Sequence, residues 1–439
     1  MDKLNSYLGG RIIKTTDISP EDMQQLCHDG GKIVAATFKK NNKLFCRRCL
    51  MAIQKLPIDH QYCRHCINLG KIQIDERLLI TPTELKFPRQ GRYLAWHGQL
   101  TTNQKKGVSE LISAYQHHRD HLVWAVTGAG KTEMIFPLIE QALINNQRVA
   151  ICSPRIDVCI ELFPRIQAAF PNTSIGLFHG QSEQKYFLTQ IMVATIHQLV
   201  RFEKAFDVLI VDEVDSFPLA GDEMLHLAIK KAKKSQGIIV YLSATPPKEL
   251  LQLVQQQKIS ISKLYQRFHG HPLPEPHGHL LLKSPYFLGI NPRLRLKLNY
   301  LIKNNQRFML FFPQIPQMKK FAKTLTKLYP QLNFVDVSSK DPQRLEKVQK
   351  FRKQEVQAIL TTTILERGVT FKKITVMVLD AQAKEFSKTA LIQIAGRAGR
   401  DKEAFDDEVH FYYQYYNEQI RQANREIHFL NSEAKHGMS

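Results

Sequence analysis

The residues that most clearly indicate chemistry form a glycine-rich loop in the first third of the chain. The stretch WAVTGAGKTE, residues 124–133, fits the Walker A pattern, with Ala125 in place of the first glycine. Glycines in such a loop let backbone N–H groups approach phosphates at a helix N-terminus. We expect a nucleotide to be held by Thr127, Gly128, Ala129, Gly130, Lys131 and Thr132, with Lys131 at the β/γ-phosphates and Thr132 on Mg²⁺. Taken alone, the motif also fits a glycine-containing strand-to-helix turn.

Two adjacent acids supply the second half of a phosphate-cleaving site. Asp212 and Glu213 end the apolar run FDVLIVDE, and ligands bind at the carboxyl ends of strands in parallel sheets. Asp212 suits the shell of Mg²⁺, and Glu213 suits orienting and deprotonating an attacking water. A polar strand end is the alternative, but the spacing after Lys131 matches a nucleotide site.

Four of the seven cysteines form two C-x-x-C pairs ahead of the loop: Cys46, Cys49, Cys63 and Cys66. This spacing is typical of a two-knuckle zinc ribbon in which four thiolates surround one Zn²⁺. A redox C-x-x-C pair or an iron–sulfur cluster is the alternative. The other three cysteines lack this spacing and are expected to be buried thiols. The segment 38–66 is also strongly basic, which fits either a nucleic-acid grip, a docking surface or a solvated charged face.

The elements that must position these residues are strands and helices in alternation. Continuous apolar strands separated by helix-length segments predict α/β domains with parallel sheets covered on both faces. A first series ends near residue 255, a Pro-, Gly- and His-rich stretch follows, and a second series begins after it. We therefore predict a basic N-terminal region with the zinc module at 1–95, a first domain at 96–270, a linker at 271–285 and a second domain at 286–439.

The composition restricts the partner and the location. The 439 residues carry a net charge of +21, which predicts a polyanionic partner, although a membrane surface would also attract it. No apolar run reaches the roughly 18 residues of a membrane span, and the N-terminus lacks a signal-peptide pattern. We therefore expect a cytoplasmic protein with no transmembrane segment.

Further motifs lie before and after the loop, in an order that resembles that of superfamily 2 helicases, and together they cover roughly residues 96–415. The resemblances are VDEVD (211–215) to the DEAD/DEAH box, LSATPP (242–247) to motif III, TTTILERGVTF (361–371) to motif V, QIAGRAGR (393–400) to motif VI, GQLTTNQ (98–104) to the adenine-reading glutamine motif, and SPRIDVC (153–159) and ATIHQL (194–199) to motifs Ia and Ic. The resemblance implies two tandem RecA-like domains that bind ATP and Mg²⁺ and hold a nucleic-acid strand.

The same resemblance implies roles for individual residues. Gln104 would read adenine, Gly368 would line the nucleotide cleft, Ser243 and Thr245 would couple hydrolysis to motion, and Gln393, Arg397 and Arg400 would act on the γ-phosphate. Both arginines would serve as arginine fingers when the domains close. Nucleic-acid contacts would fall on Pro154, Arg155, Thr195, Thr361 and Thr362. Plain solvated helix arginines, and helix caps or strand ends, are the respective alternatives.

Over nearly its whole length, the chain resembles the competence protein ComFA family of Gram-positive bacteria, which also carries four cysteines before a compact motor. The resemblance implies a DNA-dependent ATPase that translocates single-stranded DNA through the channel ComEC, with a ComFC-like partner, at the inner face of the cell membrane, and with possible homo-oligomers. Two alternatives remain. One is a duplex-unwinding replication-restart or repair helicase similar to the PriA family, and the other is a nucleic-acid clamp with a vestigial ATPase.

Overall fold

The computed structural model describes residues 3–54, 61–182, 185–367, 371–400 and 407–436. The chain divides into two compact units. The first comprises residues 1–124 and 131–263, and the second comprises residues 125–130 and 264–439. The N-terminal region belongs to the first unit, because its core is continuous with that of the first parallel sheet.

The N-terminal region is built from short antiparallel strands and one capped helix. Its elements are β1 (Ile12–Lys14), α1 (Pro20–His28), β2 (Lys32–Ala35), β3 (Thr37–Lys40), β4 (Lys43–Cys46) and β5 (Arg77–Ile80). β5 lies between β1 and β2 in a three-stranded sheet, while β3 and β4 form a separate hairpin. Asn41 and Asn42 at the hairpin turn both have positive φ, as a two-residue type I′ turn requires. The hairpin therefore delivers Cys46 at the end of β4.

The first unit is organised around a seven-stranded sheet with the order β12-β6-β11-β10-β7-β9-β8. Its elements are α2 (Thr102–Gln116), β6 (His121–Ala125), α3 (Lys131–Ile144), β7 (Val149–Ser153), α4 (Ile156–Ala169), β8 (Ile175–Phe178), β9 (Ile191–Thr195), β10 (Phe206–Asp212), α5 (Glu223–Ala232), β11 (Lys233–Ser243), α6 (Lys248–Gln255) and β12 (Ser260–Leu264). From β6 through β8 every neighbouring pair is parallel. β7 and β9 are buried throughout, as expected for strands covered on both faces.

The second unit contains a six-stranded parallel sheet with the order β13-β18-β17-β14-β16-β15. Its elements are β13 (His277–Leu280), α7 (Pro292–Lys303), β14 (Phe308–Phe311), α8 (Ile315–Leu328), β15 (Phe334–Val337), α9 (Arg344–Arg352), β16 (Ala358–Thr361), β17 (Thr375–Leu379), α10 (Lys388–Ala395), β18 (Val409–Tyr413) and α11 (Glu418–His436). The two parallel sheets and the four-cysteine module agree with the predicted α/β fold class.

The structure differs from the predicted domain limits in the connecting segment. Residues 271–285 were expected to be a linker, but they contain β13, which pairs in parallel with β18 at the edge of the second sheet. The prolines that indicated a linker lie at 272, 274 and 276, before this strand begins. An edge strand pairs on one side only and needs no long apolar run. The polar composition of β13 therefore did not indicate a strand.

No helix among the described residues is both long enough and apolar enough to cross a membrane.

Candidate functional site

The carboxyl ends of five adjacent parallel strands carry the motifs that the sequence predicted. In sheet order, these strands are β6, β11, β10, β7 and β9. Each strand has one motif at its carboxyl end. In the same order, these are the phosphate loop, motif III, the DEAD-type acids, motif Ia and motif Ic. Because parallel strands end at the same edge of a sheet, motifs that are scattered over about a hundred residues lie side by side.

The phosphate loop joins β6 to α3, and Lys131 is the first residue of that helix. Gly128 and Gly130 have φ values of +83° and +76°, a region that side chains with a Cβ rarely adopt. These two glycines therefore permit the turn that places backbone N–H groups ahead of the helix N-terminus, where an anion is favoured. The strand–loop–helix context is the one that distinguishes a phosphate loop from a chance match.

The two acids occupy different backbone positions. Asp212 is the last residue of β10, and its Oδ1 accepts a hydrogen bond of 2.9 Å from the backbone N–H of Glu213. Glu213 has a φ of +55°, an uncommon conformation for a non-glycine residue. Strained backbone of this kind clusters at functional sites. Asp212 and Glu213 thus differ in backbone conformation, and their separate roles on a metal and on a water stay predictions.

Motif III is tied to the DEAD-type segment through Asp215. The hydroxyl of Ser243 donates to Oδ1 of Asp215 at 2.7 Å, and the hydroxyl of Thr245 donates to Oδ2 at 2.6 Å. Both hydrogen bonds involve a charged acceptor, which makes them stronger than neutral ones. A shift of the acidic segment would therefore pull on the end of β11. Sequence reasoning quoted Asp215 within VDEVD without giving it a role.

Gln104 is buried and belongs to a capping box at the start of α2. The side-chain Oε1 of Gln104 accepts a hydrogen bond from the backbone N–H of Thr101 at 2.8 Å. The backbone N–H of Gln104 donates to the Thr101 hydroxyl at 3.3 Å. These bonds fix the side chain at the helix N-terminus. Recognition of adenine by Gln104 stays a prediction.

The nucleic-acid candidates of the first unit lie at the ends of β7 and β9. Ser153 ends β7, and Pro154 and Arg155 connect it to α4. Thr195 ends β9, and it is 4% exposed. These positions fit a backbone-binding edge of the sheet, although the small exposure of Thr195 leaves only its outermost atoms accessible.

One predicted nucleic-acid contact in the second unit does not fit its surroundings. Thr361 ends β16, it is fully buried, and its hydroxyl donates to the carbonyl of Val337 at 3.1 Å. This hydroxyl holds two neighbouring strand ends together, so its hydrogen is used within the fold. Thr362 is 9% exposed at the same strand end, and Gly368 lies outside the described residues.

Motif VI begins on α10 and continues into the loop after it. Gln393 is buried on the helix, and Arg397 donates from Nε to the carbonyl of Glu366 in motif V at 2.8 Å. Arg400 donates from Nε to the carbonyl of Gly396 at 2.8 Å. Motifs V and VI are thus physically connected within the second unit. The role of either arginine as a finger stays a prediction.

Arg267 is a buried residue that sequence reasoning missed. Its guanidinium donates to four backbone carbonyls, those of Thr127, Gly396, Ala398 and Gly399, at 2.6–3.2 Å. Burial lowers the pKa of Arg267 to about 10, so it stays charged at neutral pH. All five residues belong to the second unit, which includes the 125–130 loop. A single arginine in YQRFHGH carries no local signal, because its acceptors come from distant parts of the chain.

Close packing around this arginine explains one motif VI glycine. A Cβ on Gly396 would lie 2.0 Å from the hydroxyl oxygen of Thr127, well inside contact distance. Gly396 is therefore required by the approach of the 125–130 loop.

The four paired cysteines form a site that could hold a metal. Cys46, Cys49, Cys63 and Cys66 are all buried, and their sulfur atoms lie within 4.8 Å of one another. The Cys46–Cys66 and Cys49–Cys63 sulfur distances are 3.8 and 3.4 Å. Four thiolates around Zn²⁺, each about 2.3 Å from the metal, form a tetrahedron with edges of about 3.8 Å. The donor set and its size therefore fit a tetrahedral zinc.

The remaining cysteines behave differently. Cys152 and Cys159 are fully buried, and burial raises the pKa of Cys159 to about 12. They are neutral thiols at physiological pH, as predicted, whereas Cys27 is only partly buried.

Two family models match the chain in the regions of the two sheets. The family described as "Type III restriction enzyme, res subunit" matches residues 97–248, and the family described as "Helicase conserved C-terminal domain" matches residues 293–402. Among solved structures, the fold is similar to that of the Mycobacterium smegmatis helicase Lhr bound to ssDNA and AMP-PNP. The TM-score is 0.56 at 16% sequence identity, and the match covers 72% of this chain and 48% of the Lhr chain. The fold and the motif-bearing sheet edge define a superfamily 2 helicase-type protein, a DNA-dependent ATPase.

Comparison with curated proteins narrows this class to one family. The competence protein ComFA of Streptococcus pneumoniae is 38% identical over 98% of this chain and 99% of its own length. The competence protein ComFA of Bacillus subtilis is 36% identical over 98% of this chain and 95% of its own length. The chain belongs to the competence protein ComFA family.

Proposed function

We propose that this protein is an ATP-driven translocase that moves along single-stranded DNA and powers the uptake of transforming DNA into the cytoplasm. The observation that carries the proposal is the row of five adjacent strand ends with their motifs, in a chain that is related to ComFA proteins over nearly its full length. Such an edge can bind a nucleotide at one side and a strand of nucleic acid at the other.

In this proposal, phosphate cleavage depends on residues from both units. Lys131 contacts the β/γ-phosphates, Thr132 and Asp212 hold Mg²⁺, and Glu213 orients the attacking water and accepts its proton. The magnesium ion neutralises phosphate charge when it is bound. Gln393, Arg397 and Arg400 act on the γ-phosphate in the closed state, so that closing and opening follow the nucleotide cycle.

The coupling to DNA rests on the strand ends next to the nucleotide residues. Pro154, Arg155, Thr195 and Thr362 are assigned to the sugar–phosphate backbone, which makes binding dependent on salt and indifferent to base order. The pair of hydrogen bonds from Ser243 and Thr245 to Asp215 supports their assigned coupling role, because these bonds connect the acidic segment to a neighbouring strand.

The four-cysteine module is assigned a structural Zn²⁺. Four buried thiol groups at tetrahedral spacing support this assignment over a redox pair. The proposed partners and location are those that the resemblance to ComFA implies. They are a ComFC-like protein, the ComEC channel and the inner face of the cell membrane, with homo-oligomers as a further possibility to test.

The first test is the response of ATP hydrolysis to nucleic acid. Single-stranded DNA is expected to raise the turnover of the purified full-length protein several-fold or more, whereas duplex DNA of the same length raises it less. Lys131→Ala is the matched control, because it removes the phosphate-binding cation and should abolish hydrolysis with or without DNA. Equal turnover in the presence and absence of single-stranded DNA would contradict the proposal.

A further inference from the structure

A groove lies between the four-cysteine module and the first parallel sheet. It has a volume of about 500 Å³, and one wall is formed by Phe38, Arg47 and Leu50 of the module. The opposite wall is formed by the segment before β10 and by the junction of α5 and β11. All of these residues belong to the first unit.

The groove is strongly basic. The described residues that line it include one acid, Glu203, and six cations, Arg47, Lys204, Lys230, Lys231, Lys233 and Lys234. Two of these lysines are neutralised within the sheet, because Lys233 pairs with Asp120 at 3.3 Å and Lys234 pairs with Asp207 at 2.9 Å. Lys204 and Lys230 are exposed to solvent, and they therefore present their charges to a ligand.

The walls of the groove are held at a fixed separation. Lys231 is tied by its ammonium to the carbonyl of Arg48, between two of the cysteines, and to the carbonyl of Val200 at 2.9 Å. Arg47 lies over the ring of Phe38, with its guanidinium carbon 5.3 Å from the ring centre. Phe38 in turn stacks on Phe45 of the same hairpin, with ring centres 5.6 Å apart. The cations thus belong to a built surface and not to a set of independent side chains.

The groove lies at the edge of the sheet opposite to the motifs. Lys204 precedes β10 and Lys233 begins β11, whereas Asp212 and Ser243 end these strands. The seven residues of β10, at about 3.3 Å each, separate the two edges by roughly 20 Å. A ligand in the groove would therefore not compete with a strand bound at the motif edge.

We propose that this groove binds the phosphate backbone of single-stranded DNA at a second site, distinct from the motif-bearing edge. The inference rests on the proposed function, because it treats the groove ligand as the strand on which the motor acts. Lysine ammoniums on the groove wall suit phosphates as point charges, and the Arg47–Phe38 pair offers a flat surface next to them for a base. The exposed Lys39, Lys40 and Lys43 extend the basic surface along the β3–β4 hairpin.

An extended nucleic acid suits this surface better than an acidic protein segment. The cations continue from the groove onto the hairpin, as needed for the evenly spaced charges of a phosphodiester chain. An acidic peptide would be expected to fill apolar anchor sites as well, and the described groove residues offer for this only Leu50 and Phe38, whose ring Arg47 covers.

The test compares two double variants with the same change of charge. Lys204→Gln/Lys230→Gln removes the two exposed groove cations, and Lys323→Gln/Lys327→Gln removes two exposed cations on α8 that do not line the groove. Each protein is titrated with single-stranded oligonucleotides of about 8 and about 30 nucleotides, one within and one beyond common site sizes. ATP turnover is measured at each DNA concentration, and DNA binding is measured at several salt concentrations.

The groove variant is expected to need several-fold more of the long oligonucleotide for half-maximal stimulation, with unchanged basal and maximal turnover. The slope of log K against the logarithm of the salt concentration should become shallower by about 0.7 for each lost phosphate contact, or by about 1.4 in total. Its response to the short oligonucleotide should equal that of the α8 variant, since a short strand can fill the motif edge alone.

The outcomes separate this inference from the proposed function. If the unmodified protein shows no stimulation by single-stranded DNA, the proposed function itself fails. If the unmodified protein is stimulated and both double variants match it at both lengths, the DNA site in the groove is rejected, and binding of a labelled acidic peptide would then identify a protein-docking surface. Equal weakening at both lengths would also reject a separate site. As a further check, Glu203→Gln removes a negative charge from the groove and should strengthen binding of the long oligonucleotide.

Discussion

Glu213 is the residue on which hydrolysis, as opposed to nucleotide binding, is expected to depend. It follows Asp212 at the carboxyl end of a buried strand, and it has a positive φ, which is uncommon for a residue with a side chain. Its neighbours carry other duties, since Asp212 is assigned to magnesium and Asp215 accepts two hydroxyl groups from motif III. The three acids at 212, 213 and 215 are therefore assigned three different roles in the proposed function.

Replacing Glu213 with glutamine is predicted to lower the DNA-stimulated turnover at least about a hundredfold, because a general base contributes about 10²–10⁴-fold. The amide keeps the size of the side chain, so nucleotide binding should be retained. Single-turnover hydrolysis and binding of a fluorescent ATP analogue measure the two effects separately. Lys131→Ala provides the contrast, since it should lose binding as well. Normal turnover in Glu213→Gln would overturn the base assignment.

At the scale of elements, the cysteine module combines a short hairpin with a four-thiol cluster. β3 and β4 contain four residues each, and a hairpin of this size has little apolar area of its own. Cys46 ends β4, and the four thiols join the core of the first parallel sheet. Binding of a metal would fix the knuckles and the groove wall that carries Arg47.

The double variant Cys46→Ser/Cys63→Ser is predicted to lose about one equivalent of zinc, since each knuckle loses one of its two thiolates. Elemental analysis of the purified protein measures the metal, and limited proteolysis of the module measures the loss of local order. Cys27→Ser serves as the control and should keep the metal, because Cys27 lies outside the cluster. Absence of zinc from the unmodified protein would refute the ribbon assignment.

At the scale of the whole molecule, the described strands belong to the N-terminal region and two parallel sheets. Each sheet carries part of the motif set, and in the proposed function the nucleotide cycle drives alternating motion of the two units. The described residues fall into two compact units. Movement along a single strand, as proposed above, is distinguished from unwinding by experiment.

Translocation is predicted to be directional and to occur without strand displacement. On single-stranded substrates with a fluorophore at one end, the arrival time should increase in proportion to length, and only in the presence of ATP. A forked duplex of matched sequence should remain annealed under the same conditions. Glu213→Gln controls for binding without movement. Efficient separation of the duplex would favour the unwinding alternative, and arrival times independent of length would exclude translocation.

The residues whose roles were predictable from the sequence are those with a local signal. The phosphate loop, the acids at 212 and 213 and the paired cysteines combine residue type with spacing, and the strand–loop–helix context depends only on nearby residues. The alternation of apolar strands and helices predicted the α/β class for the same reason. Thr361 shows where this reasoning stops, because a hydroxyl at a motif position can bind phosphate or the next strand, and only its neighbours decide.

The sequence by itself thus determined the class of chemistry, the type of sheet and the four cysteines that could hold a metal, since each rests on contacts or periodicities that are short along the chain. The tertiary structure decided which distant residues meet. It placed the carbonyls of Thr127 and motif VI around Arg267, paired β13 with the edge of the second sheet, and brought Lys204 and Lys230 to face Arg47 across a groove. These contacts join residues that are tens to hundreds of positions apart, and no local pattern encodes such a meeting, because it depends on how the whole chain packs.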